Sequence, residues 1–193
     1  MMLSILLLAC SGTGVTTDDT STPADADTDT DADTDADLEA PPIVINEFLA
    51  INDTINSDNA GEFDDWVEIY NTGSTIVQFD GLYLSDDDLN PLKWALPSGQ
   101  GIDGGDHKLF WADDDDGEGT DTGSAVDQGE DHMSFKLSAN GEALYLTYSA
   151  GGQSVQVDAI EYGKQQPDVS AARVPDGSLD WVYGTPTPEA SNG

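Results

Sequence analysis

Asp65-Trp66-Val67-Glu68-Ile69-Tyr70-Asn71 is the stretch on which the fold turns. β-Branched and aromatic residues fill it, and apolar side chains recur at every second position, as a strand requires. Val67 and Ile69 fall on one face; Trp66, Glu68 and Tyr70 fall on the other. Outward from this stretch the strand signal recurs at Ile43–Leu49 and at 75–79, 82–84, 107–111, 134–137, 143–148 and 154–162. Turn formers separate these runs: Asn71-Thr-Gly73, Asp80-Gly81, Pro97-Ser-Gly99, Asp103-Gly-Gly105, Ala139-Asn-Gly141 and Gly151-Gly152. Asn140-Gly141 is a tight-turn signal and is expected to join a strand containing Phe135 and Leu137 to one containing Leu144 and Leu146.

Seven or eight short strands with such turns predict an all-β domain, a two-layer sandwich in preference to a barrel. Parity supplies the core: Val67 with Ile69, Leu82 with Leu84, Leu144 with Leu146, and Val155 with Val157. Ile160 joins the last pair after a local irregularity, and Trp111, Phe135 and Leu137 are further core residues. Trp66 and Tyr70, on the opposite face of their strand, are candidates for a ligand platform, although aromatics at such places more often cover a sheet or pack under loops.

The composition narrows the function. The chain has 193 residues, with 39 acidic and 5 basic side chains, a formal net charge of −34. That argues against binding a nucleic-acid backbone, which needs clustered Lys and Arg to neutralise phosphates, and against adhesion to an anionic membrane by charge alone. One cysteine leaves no intrachain disulfide and no multi-cysteine metal site. A Walker loop, a dinucleotide fingerprint, a His-Glu-x-x-His helix and a Gly-x-Ser-x-Gly elbow are all missing.

The N-terminal part reads differently. Residues 1–9, MMLSILLLA, form an apolar run too short to span a bilayer and suited to an export signal, although no positive residue precedes it. Leu7-Leu8-Ala9-Cys10 resembles the lipobox of bacterial lipoproteins, in which the signal is cut before a cysteine that then carries lipid. Acyl chains there would hold a soluble domain at a membrane. Residues 11–40 contain no Lys, Arg or aromatic residue, and Asp alternates with Ala or Thr from Asp25 to Asp37. No apolar face exists to bury, and like charges extend the chain, so residues 10–41 are expected to be a lipidated, disordered acidic tether. A calcium loop is not expected there, because the turn Gly and the bidentate Glu are both absent.

At Pro41-Pro42 the composition changes and the domain, 42–193, begins. It holds 29 acidic and 5 basic residues, a net of −24. Copies so charged repel one another at low ionic strength, so a monomer is expected.

One series of segments runs in order through the domain: Ile45-Asn-Glu-Phe-Leu-Ala50, Asp65-Trp-Val-Glu-Ile-Tyr-Asn71 with Gly73, Phe79-Asp-Gly-Leu-Tyr-Leu-Ser85 and Trp94-Ala-Leu-Pro97. It continues through Trp111-Ala-Asp113, Phe135 to Leu146, Asp158-Ala-Ile-Glu-Tyr162, Arg173-Val-Pro-Asp-Gly177, Trp181 and Pro186 to Asn192. By these segments the domain resembles the lamin tail domain, an immunoglobulin-like module of nuclear lamins and of many secreted bacterial proteins. The resemblance covers nearly everything after Pro42. It implies an immunoglobulin-like β-sandwich with short antiparallel strands more than it implies a function, since sites rather than folds carry function.

Candidate sites are few. Asp113, Asp114, Asp115, Asp116, Glu118 and Asp121 form the densest acidic loop, with Asp-x-Asp-Gly at its centre, and are the expected ligands if calcium binds. Asp86-Asp87-Asp88 is a second candidate. Asp64 and Asp65 beside Trp66 have the composition of a glycosidase pair, but turn capping is their expected work. His107 and His132 lie among carboxylates that favour the protonated ring. The expectation is a non-enzymatic, lipid-anchored protein of a bacterial outer membrane, displaying a structural or adhesive domain to a surface protein or glycan. The alternative is a calcium-stabilised carbohydrate-binding module, which needs an exposed aromatic strip beside an ordered metal loop.

Overall fold

The computed structural model describes residues 38–114 and 131–193. Cys10, most of the acidic tether, and Asp115, Asp116, Glu118 and Asp121 of the expected metal loop lie outside the described residues.

Asp65–Asn71 is a strand, β2, preceded among the described residues by β1 (Ile43–Leu49). β3 (Val77–Gln78), β4 (Leu82–Ser85), β5 (Trp94–Ala95), β6 (Gly101–Ile102) and β7 (His107–Ala112) follow. Then come β8 (Glu142–Ala150), β9 (Gln153–Tyr162), β10 (Ser170–Arg173) and β11 (Trp181–Gly184). They form three antiparallel sheets: five strands in the order β11-β10-β1-β2-β7, four in the order β5-β4-β8-β9, and a ribbon of β3 and β6. No helix occurs among the described residues.

The five-stranded and four-stranded sheets share one apolar cluster. Ile43, Ile45, Phe48, Val67, Ile69 and Phe110 come from the first, and Leu82, Leu84, Leu144 and Leu146 from the second. Val157 and Ile160 pack against it. Parity placed Val67, Ile69, Leu82, Leu84, Leu144, Leu146, Val157 and Ile160 at the core, but half-buried Val155 is not part of the cluster. Between Leu146↔Asp158 and Thr147↔Gln156 the register shifts, leaving Val157 as the extra residue of a bulge.

A second bulge matters more for function. β1 and β2 pair Ile45↔Ile69 and then Glu47↔Glu68, so Asn46 is the extra residue. Ile43 and Ile45 join the main cluster before it, Phe48 and Ala50 after it. One inserted residue reverses which positions face the core. It also sets Glu47 directly opposite Glu68, on the far face.

The hairpin expected at Asn140-Gly141 is not formed. β8 pairs with β4 and β9, and residues 134–137 form no strand; only Lys136 bridges, to Asp113. The turn itself is present, with Gly141 N–H bonded to Ser138 O, and Gly141 takes a φ of 104°. A Cβ there would lie 2.5 Å from Tyr162 O. The segment leaves the sheet because Met133, Phe135 and Leu137 all point into the main cluster, and that burial outweighs pairing with β8. The two-residue hairpin occurs instead at Gly151-Gly152, both at positive φ, between Ala150 and Gln153.

A buried ion pair ties the two large sheets together. Arg173 of β10 donates twice to the Asp158 carboxylate of β9, at 2.9 Å each, and through Nε to Ile45 O at 2.7 Å. Asp158 also accepts from Ile45 N–H at 2.9 Å, and the guanidinium lies 4.8 Å from the Trp181 ring. Asp158 follows the β9 bulge, which turns it toward the other sheet, so Arg173 neutralises a charge aimed inward.

Candidate functional site

The far face of the five-stranded sheet, turned from the main cluster, is covered rather than open. Trp66 has no exposed surface and packs with Leu49, Leu109 and Trp111. It therefore presents no ring to a ligand, and the expected Trp66–Tyr70 platform is not there. Tyr70 is half-buried against His107, with ring centroids 4.7 Å apart. Two distant segments supply the cover. Loop residues Asn56 and Ser57 and tail residues Pro188 and Glu189 wall a cavity of about 240 Å³ over Lys108, Leu109, Trp111 and Asp131.

The loop between β1 and β2 is built by Asn52. Its side chain donates to Asn56 O and Asp64 O, both at 2.8 Å, and accepts from Ile55 N–H at 3.1 Å. From the other side Asp168, at a φ of 56°, accepts from Asp53 N–H, Thr54 N–H and the Thr54 hydroxyl. The Thr54 hydroxyl above all holds the Asp168 carboxyl below its ordinary range. Asp65 accepts from Asn52 N–H at 3.2 Å, so it is a loop brace rather than half of an acid/base pair.

This bracing gathers Asp58, Glu62 and Asp64, whose carboxylate oxygens lie within 4.8 Å of one another. Asp58 accepts from Glu62 N–H at 2.7 Å, closing the turn that carries Gly61 at a φ of 86°. One oxygen of Asp64 is buried without a hydrogen-bond partner. Burial, then repulsion from Asp113, Asp58 and Glu62, pushes the Asp64 carboxyl up to about 6. Burial likewise raises Asp65 to about 6. Three hard oxygen donors so placed can chelate a divalent ion, which would relieve their repulsion. The signal was available in the sequence as Asp58-x-x-Gly61-Glu62-x-Asp64, a looser spacing than the Asp-x-Asp-Gly run that drew attention downstream.

Two residues of the expected metal loop are described. Asp113 lies 2.6 Å from His132 Nδ1, a pair that closes the loop where residues 131–133 return beside β7. Asp114 occupies the left-handed region at a φ of 62°. The second candidate, 86–88, is a turn in which Asp86 pairs with Lys93 at 2.6 Å and Asp87 accepts from Leu89 N–H. Glu142 and Glu161 join it around an open acidic groove.

The most unusual electrostatics lie under the tail. Glu47 and Glu68 are both fully buried and oppose each other across β1 and β2. Burial raises both carboxyls, Glu68 to about 8, with the facing Glu47 adding to the rise. Neither is foreshadowed in the sequence, because each stands beside a core-facing apolar residue at a position that an open sheet would expose.

No curated protein matches the chain. The family model that describes the lamin tail domain matches residues 38–164, from just before β1 through the end of β9. It takes in the β1–β2 pair, the Asp58–Asp64 loop and both layers of the main cluster. β10, β11 and the tail lie beyond the matched residues, yet β10 pairs with β1 and completes the five-stranded sheet. With two thirds of its length so matched, the chain belongs to the lamin tail domain family.

Proposed function

We propose that the chain is a lipid-anchored surface protein whose immunoglobulin-like β-sandwich serves as a structural or adhesive interaction module. Lamin tail domains are structural and non-catalytic, and this is a non-catalytic, all-β domain of the interaction type. The observation that carries the reading is how the polar side chains are used. Asn52, Asp65, Asp168 and Asn192 are hydrogen-bonded to the protein's own loops and termini. Such residues build a stable surface for display. The Leu7-Leu8-Ala9-Cys10 run supports the anchor, and the Asp-rich residues that follow support a spacer holding the domain off an outer membrane. The partner is then another surface protein or a glycan, engaged without nucleic acid.

The test is expression of the full chain in a Gram-negative host with a radiolabelled fatty acid, beside the Cys10→Ser variant. Label and membrane fractionation should follow Cys10, and protease added to intact cells should remove the domain. An unlabelled, soluble wild-type chain would end the anchoring reading.

Calcium at Asp58, Glu62 and Asp64 is the proposed cation, on the strength of the hard oxygen donors. One feature favours the carbohydrate-binding alternative: Phe63, between two of these ligands, is about half exposed. Glycan binding that needs both calcium and Phe63 would distinguish it from the plain adhesive module.

A further inference from the structure

The glutamate pair and the tail above it form one device. Asn46, the bulge residue of β1, donates to Asp176 Oδ1 and accepts from Gly177 N–H, both at 3.0 Å. Asp176 in turn holds Ser191 Oγ and Asn192 N–H, and Asn192 donates to Asn46 O and Arg173 O. With its far end fixed there, the tail lies across the sheet. Thr187 donates its N–H and its hydroxyl to the two oxygens of Glu47, at 3.0 and 2.9 Å. The Glu189 N–H donates to one oxygen of Glu68, and the other Glu68 oxygen is buried with no partner.

Two fully buried carboxylates, facing each other, are an expensive arrangement unless something positive lies between them. Glu189 on the tail and Asp176 after β10 add negative charge, and His107 of β7 is directed to Asp176 at 3.5 Å. Neither glutamate has a basic partner among the described residues. A carboxylic acid in place of one carboxylate resolves both problems. It removes a charge from the buried pair, and it gives a carboxyl oxygen that accepts no hydrogen bond a proton to donate.

We propose that the buried, facing pair of Glu47 and Glu68 carries one proton at neutral pH, and that this proton keeps residues 187–192 latched across the five-stranded sheet. When the proton passes to water, two like charges are left under the tail. Water reaches them most easily by lifting the segment that covers them. Pro188 and Glu189 also wall the cavity over Trp111, so release of the latch opens that cavity and bares the far face of the sheet. Mildly alkaline solution would thus expose a surface that neutral solution keeps closed.

The test uses the full chain, with carboxyl carbons of Glu followed by NMR from pH 5 to 9.5 and amide exchange read in parallel. One carboxyl of the pair should titrate above pH 7. Over the same interval, protection at the Thr187 and Glu189 amides should fall at least tenfold after correction for intrinsic exchange, while that of Phe48 holds. Glu68→Gln, which keeps the shape without the charge, should retain tail protection throughout. Titration of both carboxyls below pH 6 would overturn the proposal. So would unchanged tail protection as the carboxyl titrates, or parallel loss in Glu68→Gln. If Glu68→Gln does not fold, the coincidence of titration and deprotection in the wild type decides alone.

Discussion

The two faces of the β1–β2 pair are closed by opposite means. On one, Ile43, Ile45, Val67 and Ile69 meet hydrocarbon from the four-stranded sheet. On the other, Glu47 and Glu68 meet backbone N–H groups and a hydroxyl of the tail. The first closure is non-directional and tolerates exchange of one apolar residue for another of similar volume. The second depends on named donors and on protonation. Burial alone therefore does not tell how a face is held.

Removing everything after residue 164 should break both faces at once. It takes away β10, β11, Arg173 and the tail, and leaves β1 with an unpaired edge. No cooperative thermal transition is expected from such a fragment, and a normal one would show that the last 29 residues are dispensable. A smaller injury is Phe48→Ala. Phe48 is fully buried against Tyr162 and Trp181, and its loss should cost about 3–5 kcal/mol in denaturant unfolding. A cost under about 1 kcal/mol would mean that the apolar face is loosely packed.

The carboxylate face should reveal itself through pH. Asp64, Asp65 and Glu68 all have folded values raised above their unfolded ones. The folded state therefore holds more protons, and their contributions are complete below about pH 4 and decline as pH rises. Asp64 and Asp65 finish near pH 6; Glu68 continues to about pH 8. Stability from these groups should thus fall from about pH 4 to pH 8, and between pH 6 and 8 Glu68 alone should account for the fall, on the order of a few kcal/mol. Glu68→Gln should flatten that slope, and an unchanged slope in the variant would place its source elsewhere. The smallest expected effect is at the loop cluster. Calcium at 100 times its dissociation constant should stabilise the wild type by about 2.7 kcal/mol and Asp58→Asn by much less. Equal shifts in both would remove the cluster as the binding site.

The same contrast explains what the sequence reveals. Val67, Ile69, Leu82, Leu84, Leu144 and Leu146 were legible because period two is a local property. Ile160 was legible because its departure from that period is also local. The far face was not, since its cover comes from loop residues near Asn56 and from the tail some 130 residues further on. Trp66 looked open for want of that knowledge. The strand expected at 134–137 failed for a related reason. Phe135 and Leu137 alternate as a strand does, but the alternation serves insertion into the core and not pairing. β10 and β11 are short and lie between turns, and their place is fixed by Arg173 reaching Asp158 and Ile45. The cation cluster was only half visible, because Asp64 was read with its neighbour Asp65 and not with Asp58 and Glu62.

The pairing of Glu47 with Ala172 has a consequence in time. β1 cannot complete its sheet until the chain is available as far as β10. Closing a loop of that length before any contact rewards it slows folding. During synthesis β1 can already find β2, but its other edge stays bare until β10 arrives. β10 is thus the strand that seals this edge, and its arrival marks the moment at which the domain becomes safe from association there.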